Sequence, residues 1–301
     1  MRSKTMRANL MLLLTATIWG TAFVAQSVGM DHVGPFTFIC VRYLIGGLFL
    51  LPCIRLLDRL NGRPAAAAPE NRRVHVVGGV CCGVALFVAS AFQQLGIQRT
   101  SVGKAGFLTA LYILIVPLLG LFVGKRISRR IWGCVGVALI GMYLLCITES
   151  FAVAAGDLLV MACAVGYSIH ILVIDRFSPR VDGVRMSCIQ FFTAGVLGLI
   201  PMLLERPSAG NILAAAMPIL YAGVLSSGVA YTLQVVAQKD TDPTVATLIM
   251  SLESVISMLA GWAVLGQALS PRELGGCALV FAAIIVAQLP ERKKSMTCKK
   301  V

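Results

Sequence analysis

Gly124-Lys125-Arg126-Ile127-Ser128 and Gly266-Gln267-Ala268-Leu269-Ser270 are two versions of one pattern, set about 142 residues apart in a chain of 301. Gly133 is matched by Gly275, and with a two-residue shift in the loop Gln94 and Gln98 fall opposite Gln234 and Gln238. The stretch from Gln93 to Cys146 is therefore half of a pair. An internal repeat constrains architecture more than any single motif, because both copies must be built as the same unit. Both copies consist of apolar runs long enough to cross a bilayer.

Working outward, 58% of the residues are hydrophobic and 13% are charged, with a mean hydropathy of +0.86. Soluble domains carry roughly 45–50% apolar and about 25% charged residues, so the chain reads as an all-α membrane protein. A net charge of +13 would suit nucleic acid in a soluble protein. Here the basic residues sit in short clusters between apolar runs, where they set topology, and no nucleic-acid partner is expected. Nine of the ten cysteines lie inside apolar runs and Cys298 sits in a polar tail. Their spacing suggests neither a metal site nor a disulfide framework, so they read as small core residues.

About 20 predominantly apolar residues per span give ten candidate helices: 9–27, 35–57, 74–95, 101–123, 131–147, 156–174, 184–204, 212–237, 243–265 and 273–289. The first, behind Arg2, Lys4 and Arg7, also has the outline of a secretory signal. It carries Trp19-Gly20, however, and its removal would leave nine spans, so it is read as the first helix. With the N-terminus in the cytoplasm, 21 of the 26 lysines and arginines fall in cytoplasmic segments, as the positive-inside rule requires. Arg99, Lys104, Arg206 and Arg272 lie at or near the outer face, and Arg42 lies within a span. Five spans per copy make the second copy enter the membrane from the opposite side, so the repeat is expected to be inverted, a common plan for secondary transporters. The expected divisions are 1–147 (five spans), 148–290 (five spans) and a basic cytoplasmic tail, 291–301.

Several segments carry a family resemblance. They are Trp19-Gly20-Thr21-Ala22-Phe23, Arg42 with Leu44, Gln94-Leu95-Gly96 leading through Thr100-Ser101 to Ala105, Phe107, Leu108, Thr109 and Tyr112, and Leu252-Glu253. Together they resemble the EamA-type branch of the drug/metabolite transporter superfamily, over nearly the whole chain. The resemblance implies two inverted five-helix repeats around a central cavity lined by helices 1, 3, 4, 6, 8 and 9. This chain departs from the family at Lys125 and Gln267, where an acid often follows the hairpin glycine, and at Ser254, where proline often follows the ninth-span acid. No role for the hairpin acids carries over.

Substrate contacts are expected as polar or aromatic stripes at helical spacing within apolar spans. Ser227, Tyr231, Gln234 and Gln238 recur at steps of four, three and four. Gln94 belongs to the matching stripe on the third span, Trp19 to one on the first, and Thr109 and Tyr112 to one on the fourth. The candidate substrate-binding set is Trp19, Gln94, Thr109, Tyr112, Ser227, Tyr231 and Gln234, against the plainer reading of interhelical hydrogen bonds worth about 0.6 kcal/mol each.

Glu253 lies about ten residues into the ninth span, roughly 15 Å from either face at 1.5 Å per residue. A carboxylate at that depth is neutral, paired or wetted. Arg42 is one candidate partner, and His170 is a candidate proton carrier or a packed residue near the cytoplasmic end. Lys104, a turn below the outer surface, reads as a snorkelling anchor. The small residues Gly133 and Gly141, and Ala278, Ala282, Ala283 and Ala287, give faces on which helices approach closely, within the bundle or in a homodimer.

Two rival functions fit the sequence less well. Gly166-Tyr167-Ser168-Ile169 matches the loose pattern of intramembrane serine proteases, but at 100° per residue His170 points about 200° from Ser168 and cannot serve it as base. A non-transporting receptor or scaffold has no use for two opposed halves. Gly103-Lys104 lacks the remaining residues of a phosphate loop. The expectation is an inner (plasma) membrane, multi-pass secondary transporter with both termini cytoplasmic, using no cofactor or metal. It would move a small metabolite, amino-acid-like or amphipathic, outward by alternating access, with protons as a candidate coupling partner.

Overall fold

Gly124 and Gly266, which open the two copies of the repeated motif, both stand at positive φ, +80° and +68°. That left-handed region is costly for a residue with a Cβ and is the usual way to close a helix. The Gly266 N–H turns back to Trp262 O, and the Gly124 N–H to Leu121 O. The repeat thus preserves a backbone conformation that only glycine adopts freely.

The computed structural model describes residues 2–61, 72–100, 102–122, 124, 127–146, 155–266 and 270–288. Lys125, Gln267 and the tail 291–301 lie outside them. Helices α1 (Arg2–Gly29), α2 (Pro35–Leu60) and α3 (Arg72–Ile97) are followed by α4 (Val102–Thr109), α5 (Tyr112–Phe122) and α6 (Arg129–Cys146). The second copy begins with α7 (Ala155–Phe177) and α8 (Gly183–Glu205), then two short helices, α9 (Ala209–Ala214) and α10 (Ala216–Leu220). A π-helix over Tyr221–Tyr231 leads into α11 (Thr232–Ala237), α12 (Pro243–Met250), α13 (Leu252–Leu265) and α14 (Pro271–Gln288).

Among the described residues, eight spans, counting α4 with α5, α10 through α11, and α12 with α13 as continuous paths, are long and apolar enough to cross a membrane. Helices α6 and α14, of 18 residues each, fall outside that set and pack on one another, where Gly141 approaches the Gly276 carbonyl. Their small faces are therefore used in part within the chain.

Two paths are broken at matching places. The first break takes in Ala110 and Leu111 and the second falls at Ser251, 140 to 141 positions later, close to the repeat offset. At the first, the N–H groups of Leu111, Ile113 and Leu114 bond three residues back rather than four, and Pro117 has no N–H to give the Ile113 carbonyl. At the second, the hydroxyls of Thr247, Ser251, Ser254 and Ser257 each bond the carbonyl three residues back. Such bonds compete with the helical ladder and bend it.

The principal helix pairs join one copy to the other: α1 with α13, α2 with α8 and α3 with α7. Small residues make these approaches close. Gly20 faces Ile256 and the Glu253 carbonyl, Gly195 faces Leu44, and Gly166 faces Ala89. The outer surface is apolar, as lipid contact requires: Val76, Val80, Val84 and Val88 form an exposed stripe on α3, and Leu158, Met161, Val165 and Ile169 one on α7. The interior holds the polar residues.

Candidate functional site

A cavity lies at the centre, between the two copies. The first supplies Trp19, Gln26, Arg42, Gln93, Thr109 and Tyr112, and the second Tyr167, His170, Ser226, Tyr231, Gln234 and Glu253, with Ala22, Phe23 and Ile171 as apolar wall. The cavity is small, about 30 Å³ in volume. That suffices for a water or two. A solute needs the walls to part.

The polar groups form a chain of hydrogen bonds. Gln26 Oε1 accepts from Arg42 Nη1 at 3.1 Å and from Gln94 Nε2 at 2.9 Å. Arg42 Nη2 donates to the Tyr43 hydroxyl at 2.7 Å and to Ser90 Oγ at 3.3 Å. Ser90 meets the Tyr167 hydroxyl, which donates to Gln93 Oε1 at 2.9 Å, and Gln93 Nε2 donates to Thr109 Oγ1 at 3.3 Å. The Tyr231 hydroxyl donates to that of Tyr167 at 3.3 Å. Trp19 lies 4.5 Å from the Tyr231 ring, centroid to centroid, and donates its indole N–H to the Ser226 carbonyl.

Most of the candidates from sequence line this cavity: Trp19, Thr109, Tyr112, Tyr231, Gln234, Glu253, Arg42 and His170. Two stand elsewhere. Ser227 packs against Gly46 of α2, and Ser226 takes its place on the wall. The π-helix, with its i→i+5 bonds and wider turn, brings Ser226 round toward the face of Tyr231, which α-helical spacing would not do. Gln94 sits behind the wall, reaching the cavity through Gln26, while Gln93 faces it.

The expected partnerships also change. Glu253 does not pair with Arg42; its Oε1 accepts from the Tyr112 hydroxyl at 2.9 Å. His170 is fully buried, with Nε2 3.0 Å from Gln190 Oε1 and its ring edge-on to Tyr231. Ser168 Oγ donates to the Ala164 carbonyl, away from His170. Lys104 is one-third exposed and has a specific partner. It is ion-paired with Asp157, which also accepts from Thr100 at 2.8 Å.

Sequence reasoning missed Gln93 and Ser226 on the wall, and it left Gln26 and Tyr167 without assigned roles. Gln26 had a signal, its place in the stripe of Trp19. It also missed Asp157, the one acid in the first turn of α7. Helix α2 contributes Arg42 to a wall otherwise made of the six expected spans.

The profile of the EamA-like transporter family matches residues 6–147 and 154–288, the two copies of the repeat. An "Uncharacterized transporter" of Archaeoglobus fulgidus is 28% identical over 95% of this chain and 87% of its own length. A "Probable terminal-alkyne amino-acid exporter" of Streptantibioticus cattleyicolor is 22% identical, with 91% of each chain covered. A solved structure titled "Crystal structure of protein" shares the fold, with a TM-score of 0.75 at 22% identity over 93% of this chain and 96% of that one.

Proposed function

The chain belongs to the EamA-like transporter family, and from that premise we propose that it is a secondary transporter that moves a small metabolite outward through the central cavity. It is a multi-pass membrane protein and not an enzyme. In this reading α6 and α14 complete ten spans, the copies 1–147 and 148–290 are inverted repeats, and both termini face the cytoplasm of the inner membrane.

The observation that carries the reading is the cavity itself. It is lined by eight residues of the first copy and seven of the second, carries polar side chains from both, and is too tight for a solute without movement. A site at the interface of two repeats opens to either face when one repeat rocks against the other. Breaks beside the cavity at matching positions, after Thr109 and at Ser251, supply places for such movement. Trp19 and Tyr231 offer aromatic surface to an amino-acid-like or amphipathic body, and Gln93 and Gln234 offer polar contacts.

Glu253 is the candidate proton carrier. Its carboxyl is buried, lines the cavity and has a single described donor, Tyr112. Proton loss and gain at that site would change what the cavity binds, which is the requirement for coupling.

The test is uptake of a mixed metabolite panel into proteoliposomes, read by mass spectrometry, with and without an imposed pH gradient. A compound accumulated only with the gradient supports a proton-coupled transporter, and one that merely equilibrates indicates a facilitator. No movement of any compound by folded protein would favour a receptor.

A further inference from the structure

Arg42 is a guanidinium without a counter-charge among the described residues. It is 2% exposed and lies inside a membrane span. Its described hydrogen-bond partners, Gln26, Tyr43 and Ser90, are all neutral, and its Nε has none. The guanidinium carbon stands 4.5 Å from the centre of the Tyr43 ring and 5.9 Å from that of Phe38. Rings and amide dipoles steady a cation but do not neutralise it. Among the described residues, no carboxylate is within ion-pair distance of it. The acid that shares the cavity, Glu253, is engaged by Tyr112.

A buried charge persists when something pairs with it. Here the protein leaves that place open, and Arg42 lines the same cavity as Trp19, Tyr231 and Glu253. Guanidinium groups present N–H donors in a planar fork that matches a carboxylate. A purely cationic solute would meet Arg42 as a like charge. A solute with a carboxylate supplies the missing anion, and one that also carries an ammonium group finds Glu253 and the aromatic faces in the same chamber.

We infer that the transported solute is a small organic carboxylate, zwitterionic amino acids included, whose carboxylate docks on Arg42. The inference rests on the transporter reading above and narrows its substrate class.

The experiment uses the full chain in proteoliposomes and a panel of carboxylates, each matched with its carboxamide and, for amino acids, with the decarboxylated amine. Leucine, leucinamide, 3-methylbutylamine and 4-methylpentanoate form one such set. The expected result is transport of members bearing a free carboxylate, at rates about 10-fold or more above their amides, the loss expected when a charge-assisted bond is removed. In Arg42→Gln that preference should flatten to within about 3-fold, whereas Arg42→Lys, which keeps the charge, should retain it with weaker binding. If Arg42 only holds helices together, both variants will lower carboxylate and amide transport in equal proportion, and the inference is overturned. Because Arg42→Gln must fold to be informative, the wild-type ratio stands as an independent arm. Amides or amines moving as well as their carboxylates would refute the inference while leaving the transporter reading intact; movement of nothing would refute both.

Discussion

The Tyr112 hydroxyl donates to Glu253 Oε1 at 2.9 Å, and the two residues stand just past the breaks in their respective helix paths. Tyr112 is the first residue of α5 and Glu253 the second of α13. One hydrogen bond therefore ties the two broken helices together across the copies, at the cavity wall. Tyr112→Phe leaves the buried carboxyl without its described donor, at a cost of about 1–3 kcal/mol, and should lower the unfolding temperature in detergent. A double-mutant cycle with Glu253→Leu, which removes the acceptor, checks the pairing, since coupled residues give non-additive changes. Strict additivity would show that the bond is not formed in the membrane protein.

Glu253→Gln separates coupling from structure. The amide is nearly isosteric and still accepts from Tyr112, but it cannot carry a proton. If Glu253 couples transport to protons, the variant should lose accumulation driven by a pH gradient and keep counterflow of labelled for unlabelled solute. Retained gradient-driven accumulation would remove Glu253 from the coupling role.

Ser226 and Ser227 should behave as opposites although they are neighbours. Ser226 lines the cavity, so Ser226→Ala should change apparent affinity with little change in stability. Ser227 is fully buried against Gly46, and Ser227→Val inserts volume where two backbones meet, costing about 1–3 kcal/mol. A thermal-unfolding assay beside a transport assay distinguishes them. Loss of affinity in the Ser227 variant at unchanged stability would mean that this turn is an ordinary α-helix.

Much of this was legible in the sequence because the strongest signals were long-range and physical. Apolar length located eight of the ten expected spans, and the offset of 142 tied Gly124 to Gly266, whose shared positive φ is the backbone reason for the motif. The aromatic and acidic wall residues Trp19, Tyr112, Tyr231 and Glu253 stood out because polar groups in apolar spans are costly. What escaped was local geometry. A stripe drawn at 100° per residue cannot anticipate a π-helix, so it named Ser227 in place of Ser226, and a one-residue error likewise put Gln94 ahead of Gln93. Side-chain partnerships were equally hidden. Lys104 finds Asp157 53 positions away, and Glu253 finds Tyr112 rather than Arg42, because pairing depends on which helices pack together.

Close packing between copies gives a sharp contrast among the glycines. A Cβ at Gly20 would lie within 3 Å of both Ile256 and the Glu253 carbonyl, whereas one at Gly133 meets nothing within 4 Å. Gly20→Ala should push α1 from α13 and destabilise by roughly 1–3 kcal/mol, with reduced yield of folded protein. Gly133→Ala should be neutral or slightly stabilising through helix propensity. Equal effects of the two would argue against the α1–α13 contact.

Two ion pairs hold opposite ends of the spans and predict opposite changes in access. Lys104 and Asp157 join the starts of α4 and α7, while Arg185 grips both oxygens of Asp58, at 2.8 and 2.6 Å, between the start of α8 and the end of α2. Under the proposed topology the first closes the outer end and the second the inner end. Cys163 is a natural reporter, since it is buried with Sγ 3.6 Å from Thr109 Oγ1 at the cavity wall. In a chain with the other cysteines replaced, Asp157→Asn should raise labelling of Cys163 by a membrane-impermeant maleimide added outside. Asp58→Asn should raise labelling from inside. A closure weakened by one or two kcal/mol raises the open population about 5- to 30-fold, well within the range of a labelling-rate measurement. If both variants increased labelling from the same side, the two pairs would not be opposing gates and the alternating-access proposal would fail.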